Sequence, residues 1–470
     1  MTIERLIDAV REGFGTKAVV TDRAGIDPWL TDWRGRFHGN SPAILAPGST
    51  EEVAAMVALA AEHRVPMVPQ GGNTSMVGGA TPPDDGSALI LSLRRMDKLR
   101  SISAADGLAV AEAGMILANL HDRAGEVGMH FPLTLGSRGS CTIGGLIATN
   151  AGGTQVLRFG TMRSLVAGVE AVLPDGSVHD GLGALKKDNR GYSIDQLLVG
   201  SEGTIGIVTA ASLRLVPAIA GRAAAWLGLG DPQKALDVLR MLQAQTDAVE
   251  GFEIVPGDSL ALVLEHIPGT RAPLGGTHRW HALVEATASN AGDEQPAELL
   301  ERLLAPALEK GLIEDAAISS SEAQAEAFWR IRDSISEAER ASGPATQHDI
   351  SVPVADMPRF MVEAGRAVEE KFPGAQASAF GHLGDGNVHF HVRAGKRSAD
   401  DWYEREAPAI TRFVHDLVTA AGGSISAEHG IGQTKKAELE RLAPPSRMFA
   451  LKAIKHALDP QGLMNPGKLV

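Results

Sequence analysis

The sequence predicts an α+β protein in two parts, and three observations carry that prediction. Up to residue 217, helix patterns alternate with strand patterns and glycine-rich turns. After about residue 220, Ala- and Leu-rich helix patterns alternate with short strands such as HALVEAT. The chain contains no internal repeat and no low-complexity tract. We therefore expect two domains, with a boundary near 217–222.

The first part opens with the local signals of a βαβ-like unit. A Ser-x-x-Glu capping box from Ser49 to Glu52 starts the helix VAAMVALAAEH, and the strand VPMVP follows and runs into a glycine-rich turn. The hairpin signal Asp175-Gly176 joins two strand patterns within 165–178. The remaining patterns predict strands at 88–93, 108–114 and 204–217, and a helix, MILANLHDRAG, closed by Gly125.

The second part contains longer helix patterns. The run AQAEAFWRIRDSISEAERA predicts one helix, and the final helices extend from about 402 to 458. The predicted divisions of the chain are a helical leader and loop at 1–37, a first domain at 38–217, a second domain at 218–458 and a C-terminal segment at 459–470.

Composition limits the classes of function. The 470 residues include 44 Lys and Arg against 57 Asp and Glu, a net charge of −13, and only 4% are aromatic. This charge has the wrong sign for nucleic acid, and few side chains are available to stack on bases. A single cysteine, Cys141, excludes an internal disulfide and cysteine-ligated iron–sulfur clusters. The charged N-terminus does not resemble a signal peptide, and no apolar run reaches about 18 residues, so we expect a cytoplasmic protein without a membrane span.

Glycine is over-represented: 53 of the 470 residues are Gly, about 11%, against an average of about 7%. Three glycine-rich patches stand out: PQGGNTSMVGGA (69–80), GSRGSCTIGGLIATNAGGT (136–154) and GYSIDQLLVGSEGTIGIVT (191–209). Glycines let successive backbone N–H groups converge on an anion and permit positive φ. Neither G-x-G-x-x-G nor G-x-x-x-x-G-K-[ST] occurs, so a standard Rossmann fingerprint or P-loop is not supported. The patches together predict a long ligand that contains a pyrophosphate.

These patches resemble the FAD-binding domain of the vanillyl-alcohol oxidase/p-cresol methylhydroxylase superfamily, over roughly residues 40–468. The resemblance implies a two-part FAD-binding domain of the p-cresol methylhydroxylase type, followed by an α+β substrate domain with an antiparallel sheet and terminal helices. It implies that the first patch binds the pyrophosphate, the second follows the flavin, the third contacts FAD through its backbone, and the C-terminal segment returns to the flavin. The residues that it assigns to FAD are Pro69, Gly71, Gly72, Asn73, Thr74, Ser75, Pro132, Gly136, Ser137, Ser140, Gly144, Gly145, Asn150, Gly152, Glu202, Gly203, Ile207 and Asn465.

The same resemblance indicates whether FAD is attached covalently. Some members of that superfamily attach FAD covalently through a histidine just after the first glycine pair. Asn73 occupies that position here, so we predict non-covalent FAD.

A second signal lies in AFGHLGDGNVHFHV (379–392) and SAEHGIG (426–432). His389 and His391 are two apart in a strand-like run and face one side, and a Gly-Asp-Gly-Asn turn folds His382 toward His389. Glu428 and the histidine after it come from the second segment. Two histidines and a carboxylate recur as ligands of a catalytic divalent metal, and imidazole favours zinc or another transition ion. The alternative is that these histidines are ordinary strand residues whose polar atoms are hydrogen-bonded within the protein. An H-E-x-x-H zincin motif does not occur.

The segments HLGDGNVHFHV and AEHGIGQTKK resemble the substrate domain of FAD-dependent D-2-hydroxyacid dehydrogenases, the group that includes D-2-hydroxyglutarate, D-lactate and glycolate dehydrogenases. The resemblance implies that His382, His389 and Glu428 bind Zn²⁺ or a similar ion, that His429 is the base, and that Asn387 contacts the substrate. A metal on the hydroxyl and carboxylate of the acid lowers the hydroxyl pKa, and the C2 hydride passes to flavin N5.

Substrate recognition is predicted at three further positions. Arg332 and Ser336 lie four apart on one face of the predicted helix. From the residues alone, we expect Arg332 to form a surface ion pair with Asp333 or Glu337. In the D-2-hydroxyglutarate-like branch of the family, an Arg, a hydroxyl residue and a Lys hold the distal carboxylate, and Gln347 stands at the Lys position. Because Gln offers no charge, either Gln347 suffices together with the arginine, or the preferred acid is smaller or less charged.

We therefore expect an FAD- and metal-dependent dehydrogenase of a D-2-hydroxy acid, with D-2-hydroxyglutarate first and D-lactate, D-malate or glycolate as alternatives. The competing classes are a metal-dependent hydrolase, which leaves the glycine patches unexplained, and a non-catalytic protein that stores flavin or binds a partner. Expected partners are the acid, an electron acceptor such as an electron-transfer flavoprotein or quinone, and a second copy in a homodimer, but no nucleic acid.

Overall fold

The chain, in a computed structural model, is described for residues 3–290, 292–395 and 401–470. It forms two compact units. The first unit contains Met1–Gly152, Gly160–Pro217 and Glu428–Val470, and the second contains Gly153–Phe159 and Ala218–Ala427. The first two residues of the predicted leader, and residues 291 and 396–400 of the predicted second domain, lie outside the described residues.

The first unit mixes short helices with short strands. Its helices are α1 (Ile3–Phe14), α2 (Arg23–Ile26), α3 (Thr50–His63), α4 (Leu117–Gly125), α5 (Ile143–Thr149), α7 (Met162–Leu165), α8 (Ile194–Leu198), α16 (Lys436–Leu442) and α17 (Pro445–Leu458), with 3-10 turns at Thr16–Ala18 and Asp27–Trp29. Its strands are β1 (Val19–Val20), β2 (Ile44–Leu45), β3 (Met67–Gln70), β4 (Leu89–Ser92), β5 (Leu99–Ser103), β6 (Leu108–Glu112), β7 (Met129–His130), β8 (Val166–Val172), β9 (Val178–Asp180), β10 (Ile207–Arg214) and β11 (Val216–Pro217).

Two larger sheets organise this unit. One has the order β1-β2-β4-β3, with β2, β4 and β3 parallel, and the other is antiparallel with the order β5-β6-β10-β8-β9. Local sequence explains the elements between them: Ser49 caps α3 by accepting the N–H of Glu52 at 3.3 Å, and Gly176 turns the β8–β9 hairpin at φ 85°. The predicted cap at Ser49 and the hairpin are therefore both present, while Oε2 of Glu52 accepts the N–H of Gly48 at 2.7 Å instead of closing the predicted box on Ser49.

The second unit contains a large sheet covered by helices. Its strands are β12 (Gly221–Leu229), β13 (Val249–Pro256), β14 (Trp280–Ala288), β15 (Asp315–Ile318), β16 (Ala345–Ser351), β17 (Gln376–His382) and β18 (Asn387–Arg393). Its helices are α6 (Val156–Phe159), α9 (Pro232–Gln243), α10 (Gly257–His266), α11 (Pro296–Glu309), α12 (Glu322–Asp333), α13 (Ile335–Ser342), α14 (Met357–Lys371) and α15 (Trp402–Ala420).

The seven strands of this sheet follow the order β15-β12-β14-β13-β17-β18-β16, and all neighbours are antiparallel. Apolar residues of α9, α11, α14 and α15 pack on one face. Apolar residues of α10, α12 and α13 pack with Trp226 and Phe380 on the other. The predicted α+β class, with an antiparallel sheet in the C-terminal half, is confirmed.

Three sequence-based expectations differ from the structure. The leader is not separate, because its β1 pairs with β2. The predicted second domain runs to 458, but Glu428–Val470 belongs to the first unit, where Met464 bridges Met67. The single helix expected around 323–341 is two helices, because the chain turns at Ser334 between them. Among the described residues, no helix is long and apolar enough to cross a membrane.

Candidate active-site residues in the two units

The first two glycine-rich patches pack directly on each other within the first unit. A Cβ atom at Gly71 would lie 2.1 Å from Oγ1 of Thr142, and one at Gly72 would lie 1.9 Å from the carbonyl oxygen of Ser140. Neither glycine has positive φ, which occurs instead at Asn73 (53°). Gly71 and Gly72 are required because two backbones approach closely, whereas Gly78 of the same patch has the positive φ that glycine permits, at 69°.

The third patch is held to the first at Gly203 and Pro69. Gly203 has φ 70°, and a Cβ there would lie 2.5 Å from Cγ of Pro69. Glu202, with φ 54°, stands just before it in the same left-handed conformation. The three patches predicted to share one ligand are therefore adjacent in one unit, the second of them as far as Gly152.

The Glu202 side chain is directed at the C-terminal segment of the same unit. Its carboxylate accepts the backbone N–H groups of Ile431 at 2.7 Å and Gly432 at 2.8 Å. Burial raises the pKa of Glu202, although these two N–H groups act in the opposite direction. Asn465 donates to the carbonyl oxygens of Gly79 at 3.0 Å and Glu202 at 2.7 Å, so it joins the first and third patches.

Several other residues predicted to bind FAD have local partners in this unit. Asn150 caps α5 at φ 51°, and its Oδ1 accepts from Thr161 Oγ1 at 3.0 Å. Ser75 Oγ accepts the N–H of Gly79 at 3.1 Å, and Asn73 donates to the carbonyl of Thr31 at 2.9 Å. Of the remainder, Pro132, Gly144, Gly152 and Ile207 are buried, Thr74 and Ser137 are half-buried, and Gly136, Ser140 and Gly145 are exposed.

In the second unit, the turn after His382 forms as the sequence predicts. β17 and β18 pair so that His382 faces Asn387, Phe380 faces His389 and Ser378 faces His391. Directly opposed residues of an antiparallel pair lie on the same side of the sheet. The His382 and His389 rings are accordingly neighbours, with centroids 5.4 Å apart, and His389 and His391 follow at 6.4 Å.

Glu253 of β13 completes this polar row, and sequence reasoning missed it. Its Oε1 accepts from Nδ1 of His382 at 2.5 Å, and its Oε2 accepts from Nε of Arg332 at 2.8 Å. Although burial by itself raises the pKa of Glu253, Arg332 and His382 bring it down to about 2. Because an ionised carboxylate only accepts, His382 carries its proton on Nδ1, and Nη2 of Arg332 donates to Nε2 at 3.1 Å.

His389 is also held neutral. Burial lowers its pKa well below the usual value, and the charge of Arg332 acts in the same direction. Neutral imidazoles are the form of histidine that binds metals. Glu428, the third ligand predicted from the sequence, follows Ala427 in the chain and is the first residue of the other unit's C-terminal segment; Glu428 and His429 are both half-buried.

The predicted substrate residues have mixed placements. Arg332 is not a surface residue: its side chain is only 12% exposed and pairs with Glu253 at 2.8 Å, while the expected ion pair with Asp333 is present at the longer distance of 3.8 Å. Ser336 is not on the same helix as Arg332, because α12 ends at Asp333.

Asn387 and Gln347 lie on the polar row itself. The Asn387 amide donates to Oδ1 of Asp349 at 3.0 Å and to the carbonyl of Ile350 at 2.9 Å. Gln347 pairs across the strands with His391. The only sequence signal for Glu253 is a lone acidic residue in the otherwise apolar run GFEIVP, and a buried charge of that kind requires a partner.

Residues 220–469 match the family model for the C-terminal domain of FAD linked oxidases, and residues 41–181 match an FAD binding domain. The chain is 36% identical over 461 residues to the mitochondrial D-2-hydroxyglutarate dehydrogenase of Arabidopsis thaliana, covering 98% of this chain and 80% of that one. It is 32% identical over 460 residues to a putative mitochondrial D-lactate dehydrogenase of Schizosaccharomyces pombe, covering 96% and 86%.

Among solved structures, p-cresol methylhydroxylase is similar with a TM-score of 0.72 at 15% identity, covering 99% of this chain and 96% of that one. At this identity the likeness concerns the fold alone. The predicted FAD-binding fold of the p-cresol methylhydroxylase type is confirmed.

Proposed function

The chain belongs to the FAD-linked oxidase family, and from that premise we propose that it oxidises a D-2-hydroxy acid to the 2-oxo acid. The observation that carries the proposal is the polar row of β17 and β18. There His382 is buried and His389 half-buried, the two neutral rings are adjacent, and a buried carboxylate, Glu253, orients His382. Such a pair is suited to a catalytic metal that binds a hydroxy acid.

The first unit fits FAD by two observations. Oγ1 of Thr142 and Oδ1 of Asn465 are buried and have no hydrogen-bond partner in the described part of the chain, and they lie on the segments that the glycine patches bring together. The first patch has no side chain at Gly71 and Gly72, which lets Thr142 and Ser140 of the second patch pack directly against its backbone. We assign FAD to the residues named for it in the sequence analysis. When bound, FAD supplies the two-electron oxidation.

The donor set of the second unit fits Zn²⁺ or a similar ion. We propose His382 and His389 as ligands, with Glu428 as the third. Glu253 fixes the His382 tautomer by accepting the hydrogen bond from Nδ1–H. The lone pair is therefore on Nε2, where Arg332 now donates and where a metal would compete with it. When bound, the ion supplies a Lewis acid that lowers the pKa of the substrate hydroxyl.

His429 is proposed as the base that accepts the hydroxyl proton. Its position in the chain supports this role, because Glu202 binds the backbone two and three residues further on, at Ile431 and Gly432. Arg332 and Ser336 are proposed to bind the acid. Asn387 is proposed to contact it through Oδ1, which is buried without a partner in the described residues, since its amide nitrogen is already used.

The identity of the acid is proposed from the names of the relatives. D-2-hydroxyglutarate is the reference substrate because the relative from Arabidopsis thaliana carries that name. D-lactate is the second candidate, because Gln347 supplies no charge and because the relative from Schizosaccharomyces pombe is named for D-lactate.

A visible spectrum followed by anaerobic addition of acids tests the reaction. We expect flavin absorbance that is bleached by one or more D-2-hydroxy acids and left unchanged by their L enantiomers. Flavin that no acid bleaches contradicts the proposal and favours storage, and a purified protein with metal but no flavin favours a hydrolase.

Two further assays test how the proposed flavin and metal ion are bound. Acid precipitation should release the flavin into solution, because Asn73 offers no imidazole for attachment; colour that stays on the precipitate would refute non-covalent binding. Metal analysis of the purified protein should find about one zinc or similar ion, and His389→Ala should lose it. The electron acceptor is proposed to be a partner flavoprotein or quinone, with a cytoplasmic homodimer as the proposed assembly.

A further inference from the structure

A short segment, Gly153–Phe159, belongs to the second unit, although the residues before and after it in the chain belong to the first. We call it the α6 segment, because it contains α6 (Val156–Phe159). Its first two residues are the end of the second glycine-rich patch, which stops at Thr154. The residues of that patch proposed to bind FAD end at Gly152, so the α6 segment has no part in the proposed reaction.

The α6 segment is fastened to the sheet of the second unit by a charged contact. Nη1 of Arg158 donates to Oε1 of Glu250 at 2.7 Å and to Oγ1 of Thr287 at 3.1 Å. The Glu250 side chain is buried, and hydrogen bonds between charged groups are among the strong ones. A Cβ atom at Gly251 would lie 3.6 Å from the carbonyl oxygen of Thr154. The segment therefore crosses β13 in direct contact, with its position fixed at two points.

Leu157 of α6 lies on the turn between β17 and β18. A Cβ atom at Gly384 of this turn would be 2.3 Å from Cδ1 of Leu157, 3.0 Å from its Cγ and 3.2 Å from its Cβ. These distances are shorter than the separation of about 3.5–4.0 Å between carbon atoms in ordinary contact. Gly384 is not at positive φ, so the close approach of Leu157, and not the backbone conformation, requires glycine here.

The turn under Leu157 begins at His382, one of the two proposed histidine ligands. The backbone N–H of Gly386 donates to the carbonyl oxygen of His382 at 3.2 Å, so the turn is closed on the residue that carries the ring. Glu253 orients the ring through Nδ1, whereas Leu157 packs on the backbone two residues further along. The two contacts restrain different parts of the same ligand.

We infer that Leu157 is a positioning residue for His382, and that it holds the β17–β18 turn where the ring can bind a metal ion. The inference rests on the proposed function, in which His382 is a ligand. Ligands have to be held within about 0.5 Å of their productive positions, and closely packed contacts transmit displacement. One continuous stretch of chain then serves both proposed sites, FAD as far as Gly152 and the metal ion from Leu157.

Gly384→Ala tests the contact, because the added methyl group would overlap Leu157. The 2.3 Å separation has to lengthen by more than about 1 Å, so the turn is displaced. We expect the zinc dissociation constant of the flavin-containing protein to rise by about tenfold or more, measured by competition with a chelating dye. Gly275→Ala, in the same unit, is the matched control, since a Cβ there meets no atom within 4 Å and the residue is not at positive φ.

Leu157→Ala provides the rescue. Alone, it removes the support of the turn and should raise the zinc dissociation constant by roughly threefold. Combined with Gly384→Ala, it removes Cγ and both Cδ atoms and makes room for the new methyl group. The double variant should therefore bind zinc more tightly than Gly384→Ala alone, by about threefold or more, whereas independent effects would add. Exposed Leu308→Ala should give no rescue. Equal or weaker zinc binding in the double variant overturns the inference.

Amide exchange of Gly386 reports on the same turn without metal. Because this N–H is bonded to His382, its exchange should quicken by about tenfold in Gly384→Ala and slow again in the double variant. If wild type and Gly384→Ala bind zinc equally and exchange at the same rate, Leu157 does not position His382, while the dehydrogenase proposal stands. A wild-type protein that binds neither zinc nor a similar ion contradicts the proposed metal site itself, and the inference with it.

Discussion

The carboxylate of Glu202 accepts hydrogen bonds from the backbone N–H groups of Ile431 and Gly432, at 2.7 and 2.8 Å. These residues are far apart in sequence and belong to one unit. The contact joins the third glycine-rich patch to the segment that carries His429. A residue predicted to touch FAD thus has a side chain that positions the segment of the proposed base, while its own backbone, at φ 54°, continues the glycine turn.

Glu202→Gln should loosen the segment after His429. A Gln side chain has one accepting oxygen and one NH₂ donor, so one of the two backbone N–H groups faces a donor. Losing one such bond costs about 1–3 kcal/mol, so amide exchange of Ile431 and Gly432 should quicken by roughly tenfold, as measured by hydrogen–deuterium exchange. Glu126→Gln, at an exposed position of the same unit, should leave that exchange unchanged. Unaltered protection in Glu202→Gln would contradict the positioning role.

His429→Asn should remove proton acceptance while a polar side chain remains. General-base catalysis contributes typically 10²–10⁴-fold, so the anaerobic flavin-reduction rate should fall by about that factor, with the FAD content unchanged. The measurement is stopped-flow reduction together with the ratio of flavin to protein absorbance. His456→Asn, exposed on α17, is the matched control. A reduction rate within twofold of wild type would remove His429 from the proposed mechanism.

Glu253→Gln should weaken metal binding. The Gln oxygen accepts from either His382 Nδ1 or Arg332 Nε but not from both, so the His382 tautomer is no longer fixed. Loss of such an orienting group costs typically 10–100-fold in metal affinity, which competition with a chelating dye measures directly. Glu265→Gln, on the exposed side of α10, controls for the loss of a charge. Equal zinc affinity in Glu253→Gln and wild type, with native circular dichroism in both, would refute this role.

Much of the fold was predictable because the signals are local. The Ser49 cap, the Asp175-Gly176 hairpin and the turn after His382 each depend on a few neighbouring residues, and all three form as the sequence predicts. The limits of the second domain were not predictable, because they depend on a distant contact such as the bridge between Met67 and Met464. The sequence does not predict the helix break at Ser334, because the apolar pattern continues through it.

The candidate site was likewise predictable only where it depends on residues close together in the sequence. Strand alternation predicts that His382, His389 and His391 face the same side, and the structure confirms it. The partners of these histidines come from other elements: Glu253 from β13 and Glu339 from α13. No spacing in the sequence connects them, because tertiary packing brings them to the row. For the same reason, the sequence alone predicts a surface ion pair for Arg332 and gives no signal of its contact with Glu253.

Glu285 should make the second unit less stable as the pH rises. Burial raises its pKa to about 7, although Trp329 Nε1 donates to it at 2.7 Å and Arg222 lies 3.9 Å away. Between its ordinary value of 4.5 and about 7, the folded chain holds a proton that the unfolded chain has lost, so stability falls across that window, by on the order of 3 kcal/mol. Glu285→Gln keeps an acceptor for Trp329 and should flatten this fall, so that its Tm exceeds that of wild type more at pH 8 than at pH 5. Calorimetry at the two pH values measures the difference in Tm, and Glu326→Gln, at an exposed position, is the control. If the Tm of Glu285→Gln and of wild type changed with pH in parallel, this carboxyl would not govern the pH dependence of stability.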